Sequence, residues 1–136
     1  MNKLIHKMRN RKEGFTLIEL IVVIAILGIL AAILVPSMMG ILADSQKKVN
    51  DANARTVFTS AQIYVSMQAS KGAPIADATY DSTVTADATV IDGVKGYLGA
   101  GFSGTFKFTV ASGAVTTASF SKDTDYTDAE DGVYTP

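Results

Sequence analysis

The chain has no cysteine, and its single histidine, His6, lies close to the N-terminus of the 136 residues. Without cysteine, a disulfide framework, a thiol nucleophile and a thiolate metal site are all excluded. If the first residues are removed, the remaining protein also lacks histidine, which excludes Ser-His and Cys-His nucleophilic pairs and the usual zinc sites. We therefore expect a protein that is not an enzyme and that binds no cofactor.

Positive charge is scarce outside the N-terminal end. Five of the twelve basic residues lie in residues 1–14 beside one acidic residue, so the rest of the chain holds seven basic and twelve acidic residues. An acidic body has no general attraction for nucleic acid, so no specific nucleic-acid partner is predicted. The basic N-terminal end needs a separate explanation.

Hydrophobic residues make up 48% of the chain and are concentrated between residues 15 and 42. Residues 15–35 read FTLIELIVVIAILGILAAILV, with Glu19 as the one charged residue. As a helix this segment would be roughly 31 Å long, which is enough to cross a bilayer core. Basic residues directly before it predict a cytoplasmic N-terminus and a C-terminal body outside, with membrane lipid around the helix.

A cleaved secretory signal peptide is the competing interpretation of this segment. Such a signal has a shorter apolar core, followed by a cleavage site of small residues. Ala31 and Ala32 could supply small residues, but Pro36 and further apolar residues follow them. The composition therefore favours a retained helix.

Glu19 is unusual because a carboxylate in a membrane helix costs about 2.5–3.5 kcal/mol on insertion scales. One interpretation places it near the interface, where the side chain reaches the polar region. The other requires a cation, and cleavage before Phe15 would create one as a free α-amine four residues away, on the same helix face. The residues alone leave both interpretations open.

The stretch KEGFTLIELIVVIAILGILAAILVPSMMG resembles the N-terminal region of type IV prepilins and of the related pseudopilins of type II secretion. It combines a basic leader, Gly14 before Phe15, Glu19 four residues later, a long apolar helix and Pro36 near its end. The resemblance implies cleavage between Gly14 and Phe15 by a prepilin peptidase, which also methylates the Phe15 amine. It further implies that Glu19 pairs with that amine of a neighbouring subunit during assembly.

The partners that this resemblance implies are further copies of the chain in a homopolymeric filament, the peptidase, and a membrane assembly platform with its ATPase. Gly28 and Pro36 bracket a stretch of weaker helix, since proline removes a backbone hydrogen bond. We expect a kink there, with local loss of helicity in a filament as the alternative. The expected locations are the cytoplasmic membrane before assembly and a cell-surface filament afterwards.

The expected fold class is α+β and pilin-like, with one long helix packed on a small antiparallel sheet. We divide the chain into a cleaved leader (1–14), the transmembrane and assembly half of the helix (15–39), its amphipathic half (40–71) and a head (72–136). The helix is expected to end near Ser70. Its apolar stripe consists of Ala54, Val57, Phe58, Ala61, Val65 and Ala69, at spacings of three and four.

In the head, residues 72–92 read as an irregular connection, with a short strand around residues 89–91. Alternation predicts strands at residues 105–110 and 114–121, and a short last strand at Val133 and Tyr134. A two-residue loop at Ser112 and Gly113 would send Phe120 to the opposite face from Phe106. We therefore expect a three-residue loop that also includes Ala111, with Gly113 left-handed.

Two patterns in the head resemble binding motifs. Residues 99–104 match G-x-G-x-x-G, but the loop precedes a predicted strand and lies outside any βαβ unit, so we expect a flexible turn. Asp123, Asp125 and Asp128 belong to an acidic cluster that could hold calcium, as in major pseudopilins, although its spacing departs from the EF-hand pattern. A solvated acidic loop is the favoured interpretation. Contacts with lysines of other subunits (Lys47, Lys48 or Lys71) are the alternative.

Four functions remain in order of preference. The first is the structural subunit of a type IV pilus, with adhesion or motility among its uses. A pseudopilin of a secretion or DNA-uptake machine shares every N-terminal feature. A signal-anchored surface binding protein would keep its leader and would not polymerise. An enzyme comes last.

Overall fold

The computed structural model of the protein describes residues 14–123, 126 and 131–136. Helix α1 spans Leu17–Ser70, followed by strand β1 (Ala78–Asp81), a 3₁₀ turn (Thr85–Asp87) and helix α2 (Ala88–Leu98). Strands β2 (Thr105–Ala111), β3 (Ala114–Ser121) and β4 (Gly132–Tyr134) complete the fold. This is the α+β, pilin-like architecture that the sequence predicts.

The chain divides into two compact units, one ending at Met39 and the other spanning Gly40–Pro136. In the first unit, every described residue is exposed, although most side chains are large and apolar. Helix α1 continues through Gly28 and Pro36, so neither residue ends it. The hydroxyl of Ser37, next to the proline, donates to the carbonyl of Leu34 at 2.9 Å.

In the second unit, α1 contributes one face to the core. Ala54, Val57, Ala61 and Val65 are completely or almost completely buried, which confirms the predicted stripe at its centre. Phe58 is partly buried against the core, whereas Ala69 is exposed and is not a core residue. The stripe therefore ends one turn before the helix does.

The sheet is antiparallel throughout, with the strands in the order β1-β2-β3-β4. Along β2, burial alternates strictly, so that Phe106, Phe108 and Val110 face the core. Phe120 of β3 lies directly opposite Phe106. The sheet has one buried face, as alternating strands require, and the outer half of α1 covers it together with α2.

The β2–β3 loop differs from the three-residue loop predicted. It contains two residues, Ser112 and Gly113, with φ of 53° and 76°, because two-residue turns with positive φ at both positions suit the twist of a hairpin. The register shifts between Thr109 and Val110, which leaves Thr116 as an extra residue in β3. This β-bulge returns Phe120 to the face of Phe106, so the predicted face is correct but its cause is not.

The connection between α1 and β2 is more regular than predicted. Residues 89–91 lie in helix α2 and not in a strand, and β1 was not foreseen. Within α2, Ile91 and Val94 are buried at a spacing of three, and Leu98 packs against the core one turn later. This helical spacing decides the structure, since burial of one helix face outweighs the strand preference of β-branched residues.

Candidate functional site

The predicted cleavage junction lies in an exposed, non-helical segment. Gly14, Phe15 and Thr16 precede the first residue of α1, and the Phe15 side chain is 85% exposed. Nothing lies within 4 Å of the position that a Cβ on Gly14 would occupy. The backbone at the junction is therefore exposed and outside the helix, which favours access by a peptidase.

Thr16 and Glu19 form a reciprocal set of hydrogen bonds at the start of α1. The Glu19 amide donates to Thr16 Oγ1 at 3.3 Å, and the Thr16 amide donates to Glu19 Oε2 at 3.2 Å. The Thr16 hydroxyl also donates to Oε2 at 3.3 Å. This is a capping box, in which two otherwise unsatisfied backbone donors are satisfied by the two side chains. T-x-x-E at residues 16–19 is its signature in the sequence, but the capping box is not among the predicted features.

Glu19 takes part in no ion pair within the described residues, and its carboxylate is exposed. The carboxylate also lies at the N-terminal end of α1, where the partial positive charge of the helix favours an anion. The pairing with the Phe15 amine of another subunit stays a prediction. Cleavage at Gly14 would place the new amine one residue from Thr16, beside this capping box.

The apolar segment after Glu19 presents its side chains without cover. Helix α1 is long and apolar enough in its N-terminal part to cross a membrane, by length and composition, and none of that stretch is buried. Its large side chains from Leu17 to Leu42 are 46% to 78% exposed. The kink or local unwinding predicted around Gly28 and Pro36 stays a prediction.

The acidic cluster of the head is described only in part. Asp125 and Asp128 lie outside the described residues, so the structure says nothing of a calcium site there. Asp123 is exposed; its amide donates to Ser121 Oγ at 3.2 Å, and its carbonyl accepts from the Thr105 hydroxyl. In the described part of the chain, no three histidine, cysteine, aspartate or glutamate side chains are close enough to hold a metal ion.

Tyr126 is the one described residue within that loop. The Lys107 Nζ lies 4.1 Å from the centre of its ring. Burial raises the pKa of Tyr126, and the carboxylates of Asp81 and Asp131 raise it further. The phenol therefore stays protonated at neutral pH.

The glycine-rich residues 99–104 lie between helix α2 and strand β2. A dinucleotide-binding loop follows a strand and opens a helix, so the order of elements here is the reverse of the one required. Gly99 and Gly104 both have positive φ, as expected of a turn. The loop is a connection, as predicted.

Comparison with known proteins places the similarity in the N-terminal segment. The family model described as "Prokaryotic N-terminal methylation motif" matches residues 9–35, which include Gly14, Phe15 and Glu19. The type II secretion system core protein G of Dickeya chrysanthemi is 54% identical over 46 residues, covering 32% of this chain and 30% of the relative.

Two pilins show the same restricted similarity. The type IV major pilin protein PilA of Myxococcus xanthus is 37% identical over 62 residues, which cover 46% of this chain and 28% of that protein. The type IV major fimbrial protein FimA of Dichelobacter nodosus is 54% identical over 39 residues, which cover 29% of this chain and 25% of that protein.

The chain aligns with less than a third of the length of each of these relatives. No solved structure gives a significant match to it. The family model covers residues 9–35, so the head lies outside it. The chain is therefore similar, over part of its length, to type IV pilins and to core protein G of type II secretion systems.

Proposed function

We propose that this protein is the structural subunit of a type IV pilus and that it acts by polymerising, without catalysing a reaction. A prepilin peptidase cleaves it between Gly14 and Phe15 and methylates the Phe15 amine. Copies then leave the membrane and join a filament through an assembly platform and its ATPase. The N-terminus faces the cytoplasm before assembly.

The observation that carries the proposal is the bare apolar half of α1 beside an accessible cleavage junction. Every described residue from 14 to 42 is exposed in the single chain. Apolar area of this size needs either lipid or protein around it, since each buried Å² contributes roughly 25 cal/mol. A membrane covers the segment before assembly, and the same segments of neighbouring subunits cover it in a filament.

Polymerisation also gives Glu19 a function that a static anchor does not need. A carboxylate and an amine that are each costly in lipid neutralise each other when two subunits dock in register. Such a pair specifies register more than it adds stability. Apolar packing between helices supplies most of the binding free energy.

A pseudopilin is the second candidate, because several of the matched relatives are core protein G of type II secretion systems at 50% to 56% identity. Pilus subunits and pseudopilins share the N-terminal signature, so the location of the mature protein distinguishes them. A surface filament that is released by shearing indicates a pilus. Mature protein that remains in the membrane fraction indicates a pseudopilin.

The test is N-terminal sequencing and intact mass of this protein in material sheared from cells and in the membrane fraction. We expect mature chains in the sheared material that begin at Phe15 and are one methyl group heavier than the unmodified chain. Mature chains confined to the membrane fraction would indicate that the protein is a pseudopilin and not a pilus subunit. Chains that still begin near Met1, or that are cut after Ala32, would contradict both.

Gly14 provides the control for processing. A bulky residue at this position, as in Gly14→Val, should leave the uncleaved precursor in the membrane, because the residue before the scissile bond has to fit the peptidase. The open space around Gly14 means that the substitution should not disturb the folded protein itself. A normally cleaved Gly14→Val chain would show that processing takes place elsewhere.

A further inference from the structure

The sheet is open, and its two edges differ in how they are protected. At one edge, β4 is three residues long. At the other edge, β1 is four residues long and contains neither lysine nor proline. Exposed backbone groups of an edge strand can pair with a strand of another molecule, and lysine, proline or a very short strand normally prevents this. The edge formed by β1 therefore needs another form of protection.

The pairing of β1 with β2 shows which of its backbone groups point away from the sheet. Directly after the strand ends, the Ser82 amide donates to the Phe106 carbonyl of β2 at 2.9 Å. Because the direction alternates along an antiparallel strand, Tyr80 also points towards β2, whereas Thr79 and Asp81 point outward. We call the outward amide and carbonyl groups of Thr79 and Asp81 the β1 edge.

Both backbone groups of Asp81 on the β1 edge are already bonded within the chain. The amide donates to Oδ2 of Asp87 at 2.9 Å, and the carbonyl accepts from the Val84 amide at 3.1 Å. A turn after the strand brings these partners close, because the Asp81 carboxylate accepts from the Thr83 amide at 2.8 Å and from its hydroxyl at 2.7 Å. Among the described residues, the outward amide and carbonyl of Thr79 have no hydrogen-bond partner. An approaching strand therefore finds the groups of one residue only.

Asp87 makes this contact in place of the one that its position favours. It occupies the N-cap position of α2, yet its side chain makes no capping hydrogen bond to that helix. An N-cap aspartate normally accepts from an amide in the first turn and thereby stabilises its helix. Here the carboxylate accepts from a strand amide six residues earlier in the chain. This geometry indicates that the side chain serves the strand edge and not the helix.

The partner that would fit an open β1 edge is the same edge of a second copy. Antiparallel pairing of two identical edges is self-complementary, so each copy offers donors and acceptors that match those of the other. In such a pair, the Asp81 amide would donate to a carbonyl of the second strand. The Asp87 carboxylate already accepts from that amide in a charge-assisted hydrogen bond. Its negative charge also repels the carbonyl oxygens of an approaching strand.

We propose that Asp87 closes the β1 edge against strand pairing with a second copy of the chain. The carboxylate acts as an intramolecular substitute for a partner strand, because it accepts the hydrogen bond that a carbonyl of that strand would accept. This role is independent of the proposed function. It concerns the head alone and applies equally to a pilus subunit, a pseudopilin and a membrane-anchored protein that does not polymerise.

Because the chain has no cysteine, disulfide formation can probe the β1 edge. The full chain carrying Thr79→Cys is purified in detergent micelles, which cover its apolar segment, and is oxidised mildly. Two thiols at position 79 come together when two β1 edges pair, since facing residues of antiparallel strands lie within the Cα separation that a disulfide spans. The rate at which disulfide-linked dimers form therefore reports pairing of the two edges.

Three further substitutions are compared in the Thr79→Cys chain. Asp87→Ala should raise the rate of dimer formation at least about fivefold, because each copy then offers one more hydrogen bond to the other. Asp87→Asn should stay within about twofold, since an amide oxygen can still accept from Asp81. Asp92→Ala is the matched control: it removes an exposed carboxylate that contacts Lys95, and it should also stay within about twofold.

Two outcomes of this comparison would overturn the inference. If Asp87→Ala forms dimers no faster than Asp92→Ala, the carboxylate does not close the edge. If Asp87→Asn forms dimers as fast as Asp87→Ala, negative charge and not the hydrogen bond keeps the copies apart. Neither outcome bears on whether the protein polymerises through its N-terminal segment.

Amide exchange tests the closed edge in the unsubstituted chain. Thr79 and Asp81 share the β1 edge, but Asp81 alone has an acceptor for its amide, so this amide should exchange at least about tenfold more slowly. In Asp87→Ala, Asp81 should lose this protection. Tyr80 should keep its own through β2, which would show that β1 is still folded. Equal exchange of Thr79 and Asp81 in the unsubstituted chain would overturn the inference, whatever the variants do.

Discussion

At the scale of single residues, Glu19 combines two properties that substitution can separate. Its side chain caps α1 through Thr16, and its charge is proposed to pair with an amine of a neighbouring subunit. Glutamine retains the capping geometry but removes the charge. Alanine removes both.

We predict that Glu19→Gln and Glu19→Ala both insert into the membrane and are cleaved, and that both assemble poorly. The physical reason is that the amine of the neighbouring subunit would be buried without its counter-charge, which costs several kcal/mol. The measurement is the ratio of sheared or cross-linked polymer to cleaved membrane protein. Normal assembly of Glu19→Gln together with failure of Glu19→Ala would assign Glu19 to capping alone.

Thr16 tests the capping box independently of charge. Thr16→Val keeps the shape of the side chain but cannot accept from the Glu19 amide, so the first turn of α1 should lose about 1 kcal/mol. Thr16→Ser retains the hydroxyl and serves as the matched control. Because the first turn is then less stable, hydrogen exchange of the Glu19 amide in detergent micelles should be several-fold faster in Thr16→Val. Equal rates in the two variants would contradict the capping role.

The residues of the N-terminal site were accessible to sequence reasoning because their spacing is local. The resemblance of residues 14–19 to the prepilin signature implies the junction, the length of the apolar segment predicts a helix, and α1 begins at Leu17. The signature T-x-x-E at residues 16–19 is equally local and is sufficient to predict capping. The role of Asp125 and Asp128 as candidate calcium ligands stays a prediction, because both residues lie outside the described part of the chain.

At the scale of elements, the β2–β3 hairpin shows what side-chain faces leave undetermined. A longer loop and a two-residue loop with a bulge both return Phe120 to the face of Phe106. The alternation of side-chain faces shows that the hairpin contains one extra residue, but it does not show whether that residue lies in the loop or in a strand. For α2, the spacing of Ile91, Val94 and Leu98 was available in the sequence, but residues 72–92 are mostly Ala, Thr, Asp and Ser with few large apolar groups, which favoured an irregular chain.

The turn itself gives a stabilising prediction. Ser112 has φ of 53°, a conformation that asparagine adopts more readily than serine, and Asn-Gly is the preferred pair in this turn type. Ser112→Asn should therefore raise the free energy of unfolding by about 0.5 kcal/mol, which is less than the full cost of placing an ordinary residue in the left-handed conformation. Urea unfolding of the full chain in detergent micelles measures the change.

Gly113→Val is the opposing control for the turn. Its φ of 76° is unfavourable for a β-branched residue, so this variant should lose at least about 1 kcal/mol. If both Ser112→Asn and Gly113→Val were destabilising, Gly113 alone would be left-handed, as in the three-residue loop that the sequence suggested. A neutral Gly113→Val would contradict both turns.

At the scale of the whole molecule, the core of the head includes one face of α1. Four of the buried apolar residues come from α1, and they face Phe106, Phe108 and Phe120 of the sheet. The α+β class follows from the sequence because a head of this size cannot bury enough surface by itself. The precise packing of the C-terminal strand does not follow, since it depends on contacts that are distant along the chain.

Without any cysteine, the C-terminal end is held by strand pairing and close packing. Strand β4 pairs with β3 through Ser119↔Val133 and its neighbours. Gly132 lies directly against the backbone of α1, so that a Cβ at this position would overlap the carbonyl of Asn50. Backbone atoms on both sides leave the added methyl group no flexible side chain to displace.

We therefore predict that Gly132→Ala loosens β4 and costs roughly 1–3 kcal/mol of the free energy of unfolding. Gly96→Ala is the matched control: it adds the same methyl group within α2, where nothing lies within 4 Å of the new Cβ, and should be neutral or stabilising by up to about 1 kcal/mol. Amide exchange of Val133 and Tyr134 should rise only in Gly132→Ala. Unchanged exchange in Gly132→Ala would show that α1 and β4 are not in contact at this point.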